Sequence, residues 1–356
     1  MLLKKTMLVA AALCASTVPS DSQQPAPSAL TTLIAGMKPG TWAPLTTTGI
    51  GQAVGQGPTT GNRIPFATSG VWDKTHQIFH FIGDDHLPSV SWHMQYRAAT
   101  NDWIGPDTGL GYGSHGYDNI SLNPFTSELY LQQYGDAGGG GTKVYSKPWG
   151  GKWGTKTSWP VTQPVGITRG VAWWSGAFQG AGAQGVALIY NDGAAGGQIR
   201  AYDPVANAWI ADIVGFGSLP THSGIMEYST VHNVALLGSG NANAPKLWML
   251  KSDRTVTPVP DAPFGVGSTA GQGNLVADPL TGDFLAFGGT KGFYSLNPLG
   301  TGGWKKLPDA PAFVFSAASG PGKSLISAPL DDHKAVMYVY AHGSSCSVAI
   351  YKHDRK

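Results

Sequence analysis

Short apolar segments alternate with polar turns along most of the chain, and pairs of such segments recur about every fifty residues. Each repeat has an apolar strand, a tight polar turn and a second apolar strand that ends in small residues. The turns align at Asp73, Asn123, Ser229, Asp278 and Ala328, with steps of 50, 106, 49 and 50 residues. A sixth copy fills the double step, with strands at 170–174 and 185–190. This pattern predicts an all-β fold, a six-bladed β-propeller.

A propeller blade has four antiparallel strands, named a to d from the axis outward. The repeats supply strands a and b, and the outer pair carries a Tyr on strand c and a Trp on strand d. Two blades place these residues seven positions apart: Tyr96 with Trp103 and Tyr202 with Trp209. The last blade ends at Tyr351 with no Trp after it, while Trp42 stands alone near the start. We therefore predict that residues 41–46 form strand d of the last blade and close the ring.

The Tyr–Trp spacing, the repeat length and the Gly288-Gly289 doublet resemble kelch repeats, as in the central domain of galactose oxidase. The resemblance covers about residues 41–353 and implies a fold rather than a function. That oxidase uses copper and a Tyr crosslinked to a Cys. Cys346 lies in a predicted outer strand, away from the axis, so we predict a buried small hydrophobe there and no copper-radical site.

Composition agrees with an all-β chain rich in turns, since it contains 50 Gly and 25 Pro and only 12% of its residues are charged. The formal net charge is +2, without basic runs. We therefore expect no nucleic-acid partner. We expect a monomer without a transmembrane segment whose partner is an extracellular carbohydrate.

The first forty residues have the composition of a targeting segment and a linker. Residues 1–20 predict a signal peptide, with Lys4 and Lys5 before a short apolar stretch. Leu13 precedes Cys14 where a lipoprotein signal needs a small residue, which disfavours lipid anchoring. We predict a disordered linker at 21–40 and one propeller domain at 41–356, exported to the periplasm or the medium.

In a propeller, the loops from strand d to the next strand a and from b to c surround the axis on one face. Four residues of these loops are candidates for catalysis: His115, His222, Tyr134 and Arg169. Nine more are candidates for substrate binding: His86, Tyr112, Tyr117, Tyr190, Asp85, Asp118, Arg63, Lys291 and His342. The a–b turns lie on the opposite face, and we interpret their polar side chains as ordinary turn residues: Lys74, His76, His232, Asp331, Asp332 and His333.

Several functions fit this set. Arg169 could neutralise the carboxylate of an acidic sugar, His115 or His222 could act as base and Tyr134 as acid, which is the chemistry of a polysaccharide lyase. A glycan- or protein-binding scaffold without catalysis is the main alternative, and a glycosidase using an Asp pair is a second. No cofactor is certain, although a divalent metal could be held by four histidines: His86, His115, His222 and His342.

Overall fold

The computed structural model describes residues 26–55, 63–64, 67–83, 92–107, 109–110, 120–132, 143–158, 170–191, 198–214, 224–238, 245–267, 273–288, 292–315, 325–342 and 345–354. These residues form six four-stranded antiparallel sheets and three short helices. The sheets are the blades of a propeller, so the predicted all-β, six-bladed fold is confirmed. No helix in the described part of the chain is long and apolar enough to span a membrane.

In each blade, strand a lies at the axis and strand d lies at the outer edge of the propeller. Blade 1 contains β2 (Val71–Asp73), β3 (Ile78–Gly83), β4 (Trp92–Arg97) and β5 (Asp102–Asp107). Blade 2 contains β6 (Ile120–Asn123), β7 (Glu128–Gln132), β8 (Lys143–Lys147) and β9 (Gly154–Ser158). Blade 3 contains β10 (Val171–Trp174), β11 (Val186–Asn191), β12 (Gln198–Asp203) and β13 (Ala208–Val214).

Blades 4 to 6 continue the same order. Blade 4 contains β14 (Ile225–Ser229), β15 (Val234–Gly238), β16 (Leu247–Lys251) and β17 (Val256–Pro258). Blade 5 contains β18 (Asn274–Ala277), β19 (Phe284–Phe287), β20 (Phe293–Leu296) and β21 (Lys305–Lys306). Blade 6 contains β22 (Leu325–Leu330), β23 (Ala335–His342), β24 (Ser345–Lys352) and, from the start of the chain, β1 (Thr41–Leu45).

Ring closure follows the prediction made from the unpaired Trp42. β1 pairs antiparallel with β24, and Trp42 lies directly opposite Tyr351 with ring centroids 4.7 Å apart. Two other outer pairs have the same geometry: Tyr96 with Trp103 at 5.5 Å and Tyr202 with Trp209 at 5.2 Å. Two segments distant in sequence therefore rebuild the packing unit that blades 1 and 3 each form from one hairpin.

The core lies between neighbouring blades, where the side chains of adjacent sheets interdigitate. One large cluster fills the space between blades 6 and 1 and includes Phe79, Phe81, Met337 and Ile350, all completely buried. Similar clusters join the other blades. Packing around the whole ring holds the six inner strands at fixed positions about the axis.

The segment at 21–40 differs from the linker that its composition predicts, because part of it folds as helix α1 (Ala29–Gly36). The Ser28 hydroxyl caps α1 by accepting from the Thr31 N–H at 3.1 Å. Leu30 and Ile34 lie one turn apart and are buried in the cluster between blades 6 and 1. The prediction was wrong here because the Ser, Gln and Pro content of the preceding stretch outweighed this helical spacing. Two one-turn helices follow: α2 (Ile50–Ala53) and α3 (Ala312–Phe315).

Replacing Trp42 should strongly destabilise the ring. Its indole packs against four aromatic rings at centroid distances of 4.7 to 5.7 Å: Phe287, Phe293, Tyr338 and Tyr351. We expect Trp42→Ala to lower the free energy of unfolding by about 3 kcal/mol in urea denaturation, since it leaves a cavity where the ring closes. Trp149→Ala, a matched change at a half-exposed turn, should cost about 1 kcal/mol or less. Equal losses in both variants would contradict a special role for closure.

Candidate functional site

The axis of the propeller is surrounded by the six inner strands, β2, β6, β10, β14, β18 and β22, and each contacts the next around the ring. Within its sheet, each of these strands pairs with strand b on one side only. The other edge carries backbone N–H and C=O groups that face the axis. The centre of the ring is therefore polar whatever side chains surround it.

An axial cavity of about 500 Å³ opens on the face of the a–b turns. All six blades contribute a residue of that turn to its rim: Lys74, Pro124, Ser175, Thr230, Pro279 and Asp331. Its walls are the inner strands themselves. Because every blade contributes, no local segment of the sequence contains the site.

Three aromatic side chains in the lining are held in place by hydrogen bonds. Trp72 and Trp173 are 5% and 7% exposed, and the Trp173 indole N–H donates to the Gln184 carbonyl at 3.2 Å. The Tyr228 hydroxyl donates to Asn233 Oδ1 at 2.8 Å. All three rings pack in or against the core between blades, so only a small part of each reaches the cavity.

The lining carries more carboxyl groups than amines. Glu227, Asp278, Asp331 and Asp332 are the carboxyl groups, and Lys74 and Lys334 are the amines. Loss of solvent raises the pKa of Asp331, although the nearby Lys334 and Lys74 oppose that rise. Burial likewise raises the pKa of Asp278. The protonated form of these groups, which donates a hydrogen bond, is thus favoured relative to an exposed Asp.

Asp278 is 1% exposed, and its two carboxyl oxygens are used differently. Oδ2 accepts from the Thr281 N–H and hydroxyl, each at 2.7 Å, and from the Leu280 N–H at 3.2 Å. Oδ1 has no hydrogen-bond partner among the described residues, and neither has the hydroxyl of Ser121, another buried residue of the lining. Buried polar atoms without partners are costly in free energy, and the missing partner of Oδ1 agrees with the raised pKa of Asp278.

At the end of the axis opposite the a–b turns, blades 1, 5 and 6 are joined by buried hydrogen bonds. The Thr68 carbonyl accepts from Asn274 Nδ2 at 2.6 Å and from the Ser327 N–H at 3.3 Å. The Ser327 hydroxyl also donates to Asn274 Oδ1. These hydrogen bonds tie the inner strands of blades 1, 5 and 6 to one another at that level.

At the rim of the cavity, the carboxylate of Asp332 links blade 6 to blade 1. It accepts from the Trp72 indole N–H at 2.7 Å and from the Gln77 amide. His333 Nε2 lies 3.0 Å from Gln77 Oε1. Asp332 therefore holds the blade that contains both chain ends against the first complete blade.

Two of the residues predicted to bind substrate have described side chains, and neither lines the axial cavity. The Arg63 guanidinium lies 4.4 Å from the centre of the Trp92 ring and donates to the Gln52 and Ala53 carbonyls, so it holds the end of α2. Burial lowers the pKa of Arg63. Tyr190 is completely buried in the core between blades 3 and 4.

The other predicted site residues cannot be compared in the same way. His342 ends β23, and its side chain lies outside the described part of the structure. Ten more lie wholly outside the described residues: His115, His222, Tyr134, Arg169, His86, Tyr112, Tyr117, Asp85, Asp118 and Lys291.

Cys346 lies on β24, the third strand of blade 6, and packs against the core between blades 6 and 1. Burial raises the pKa of its thiol to about 12, so the reactive thiolate is disfavoured at neutral pH. Among the described residues, no group of three or more His, Cys, Asp or Glu side chains is placed to hold a metal ion.

The cavity residues were not among the predicted site residues, because the a–b turns that hold several of them have the composition of ordinary turns. One signal was present in Glu227, a charged residue within the inner strand Ile225–Ser229. A charged residue is unusual in a strand packed on both faces. Glu227 therefore predicts that part of this inner strand faces solvent or a cavity at the axis. The paired Asp331 and Asp332, in a turn that also holds Lys334, were a second signal.

Comparison with known proteins supports the fold alone. No protein-family model matches the chain, and no curated protein matches its sequence. The structure is similar to an auxiliary nutrient binding protein from Bacteroides thetaiotaomicron, with a TM-score of 0.54 and 10% identity over 87% of this chain and 75% of that one. It is also similar to a gluconolactonase from Xanthomonas campestris, with a TM-score of 0.50 and 9% identity over 93% of this chain and 98% of that one. The class of the protein is therefore a six-bladed β-propeller, and the kelch family remains a prediction.

Two neighbouring carboxyl groups of the rim should respond oppositely to the loss of charge. The folded-state pKa of Asp331 lies above the unfolded value of about 3.9, so stability falls as pH rises between the two values. We expect Asp331→Asn to be at least as stable as the wild type at neutral pH, with the difference vanishing below pH ~4. The measurement is urea denaturation across this pH range.

Asp332→Asn is the matched control, because it weakens the acceptors of Trp72 and Gln77. We expect it to lower the free energy of unfolding by about 1–3 kcal/mol at neutral pH. A stabilising effect of Asp332→Asn, or a loss in Asp331→Asn that persists at neutral pH, would contradict this account of the rim.

Proposed function

We propose that this protein binds carbohydrate and that a neutral sugar occupies the axial cavity. The observation that carries the proposal is the lining, which combines polar strand edges, carboxyl groups and small exposed parts of aromatic side chains around about 500 Å³. This volume lies within the roughly 300–1,000 Å³ usual for small-molecule sites. The similarity to a nutrient binding protein, at 10% identity, supports only the fold. The cavity is therefore the evidence for carbohydrate binding.

The lining suits the two kinds of surface that a sugar presents. Its hydroxyl groups need donors and acceptors in several directions, which the edges of six strands provide. The C–H groups of a pyranose ring need apolar contacts, which the small exposed parts of Trp72, Trp173 and Tyr228 supply. A purely apolar ligand would leave the strand edges unpaired, at a cost in free energy.

Charge separates a neutral from an acidic sugar at this site. The four carboxyl groups of the lining would repel the carboxylate of an acidic glycan, and only Lys74 and Lys334 would attract it. Carboxyl groups accept hydrogen bonds from sugar hydroxyls without such repulsion. The cavity therefore favours a neutral sugar over a uronic acid.

Closing the mouth of the cavity should abolish binding. We expect the wild type to bind neutral oligosaccharides in calorimetric titration, and Thr230→Trp to weaken that binding at least tenfold because Thr230 lies on the rim. Thr301→Trp, in the exposed c–d turn of blade 5, is the matched control and should bind as the wild type does. Equal binding by both variants would exclude the cavity as the site.

Cleavage of an acidic glycan is a second candidate, at the opposite end of the axis. The strand order supports it, because the segment between β5 and β6 contains His115 and the segment between β13 and β14 contains His222. We propose that one of these histidines removes the proton beside the sugar carboxylate. Arg169 would neutralise that carboxylate, and Tyr134 would protonate the leaving oxygen. The predicted export signal at 1–20 would bring the protein to extracellular glycans.

Lyase activity has a product that distinguishes it from hydrolysis. With a panel of acidic and neutral polysaccharides, a lyase should raise both reducing ends and the ultraviolet absorbance of the unsaturated product. We expect His115→Ala or His222→Ala to abolish both signals while neutral-sugar binding in the axial cavity persists. Reducing ends alone would favour the aspartate-based hydrolase, with Asp85 and Asp118 as candidates. If neither reducing ends nor absorbance increased, the function would be sugar binding without cleavage.

A further inference from the structure

Trp149 is a large aromatic residue at the surface of the propeller, and the packing of the blades does not account for its exposed position. It lies in the turn between strands c and d of blade 2, and 49% of it is exposed. Phe125, in the a–b turn of the same blade, is 57% exposed. Burial of rings of this size would stabilise the fold, so exposed aromatic rings are candidates for contact with a ligand.

A chain of contacts from the core fixes the Trp149 indole. The His76 ring stacks on it, with centroids 3.4 Å apart and planes within 9° of parallel. His76 Nδ1 is held by Asp73 Oδ2 at 2.7 Å, and Asp73 is only 1% exposed. One face of the indole is thus covered and its orientation set before any ligand arrives, which lowers the entropy cost of binding.

Trp149 lies at the same end of the propeller as the mouth of the axial cavity. Strands a and c of a blade are parallel to each other, so the a–b and c–d turns meet at one end. Phe125 directly follows Pro124 of the cavity rim, and His76 lies two residues after Lys74 of that rim. A ligand that extends from the cavity to Trp149 would therefore pass over the a–b turns of blades 1 and 2.

We propose that Trp149, with Phe125 beside the rim, forms a second binding position for a glycan whose end occupies the axial cavity. The inference rests on the proposed carbohydrate binding and specifies an oligosaccharide rather than a single sugar. A pyranose ring stacks its C–H face on a fixed indole and keeps its hydroxyl groups in water. Exposed aliphatic residues in the c–d turns of other blades, Val205 and Leu299, offer no such flat surface.

The test is a titration of neutral oligosaccharides of increasing length, from disaccharide to octasaccharide, into the full chain. Trp149→Ala should weaken binding of the long members about fivefold to tenfold and leave the disaccharide unchanged. Trp149→Phe should restore most of the loss. Leu299→Ala is the matched control, as exposed as Phe125 and in the c–d turn of blade 5, and should bind as the wild type does. Thermal melting verifies that each variant is folded.

The outcomes separate this inference from the proposed function. Unchanged binding in Trp149→Ala at every length, with loss in Thr230→Trp, would overturn the second position and keep the cavity. Loss in Trp149→Ala with no effect of Thr230→Trp would support the aromatic position and overturn the cavity. An equal loss in Leu299→Ala would indicate a general apolar docking face for a protein and overturn the glycan position. No binding of any glycan by the wild type would overturn both.

Discussion

Pairing of β1 with β24 is the interaction on which the rest of the structure depends. Without it, blade 6 would end at an open strand edge, and the two ends of the ring would be free to separate. Cys346 is free, so no disulfide among the described residues substitutes for this contact. Trp42 stabilises the closure by packing on Tyr351 and on the aromatic core of blades 5 and 6. Lys352 adds a link to α1, donating to the Ile34 and Met37 carbonyls at 3.2 Å.

Closure also creates the candidate site, because the axial cavity exists only where six inner strands face one another. The join between the first and last blades is part of the cavity itself. Asp332 bonds Trp72 across that join, and both residues line the cavity. The stability of the closed ring and the shape of the cavity mouth are thus coupled. A ligand that contacts both blade 6 and blade 1 should therefore stabilise the folded protein.

The a–b turns and the segments that join neighbouring blades differ in residue composition. The end with the a–b turns carries carboxyl groups, aromatic rings and the exposed Trp149, which suits neutral sugars. The segments that join strand d to the next strand a contain His115, His222 and Arg169, the residue types that the proposed lyase chemistry needs. The rigid ring of strands supports the turns around the mouth of the cavity, the usual division of roles in such folds.

The sequence by itself determined the blades and the way they close. The fifty-residue repeat, the Tyr–Trp pairs and the unpaired Trp42 are local signals, because a blade folds from neighbouring segments of chain. The spacing of Leu30 and Ile34 was also readable, although the composition around it obscured it. Only the tertiary structure decided which turn residues meet. Lys74 and Asp331 in turns and Glu227 in an inner strand are more than a hundred residues apart in sequence, and they share one cavity because ring closure brings the inner strands and the turns after them together around the axis. The repeat spacing places the a–b turns on one face, but it does not determine that a cavity with these side chains opens there.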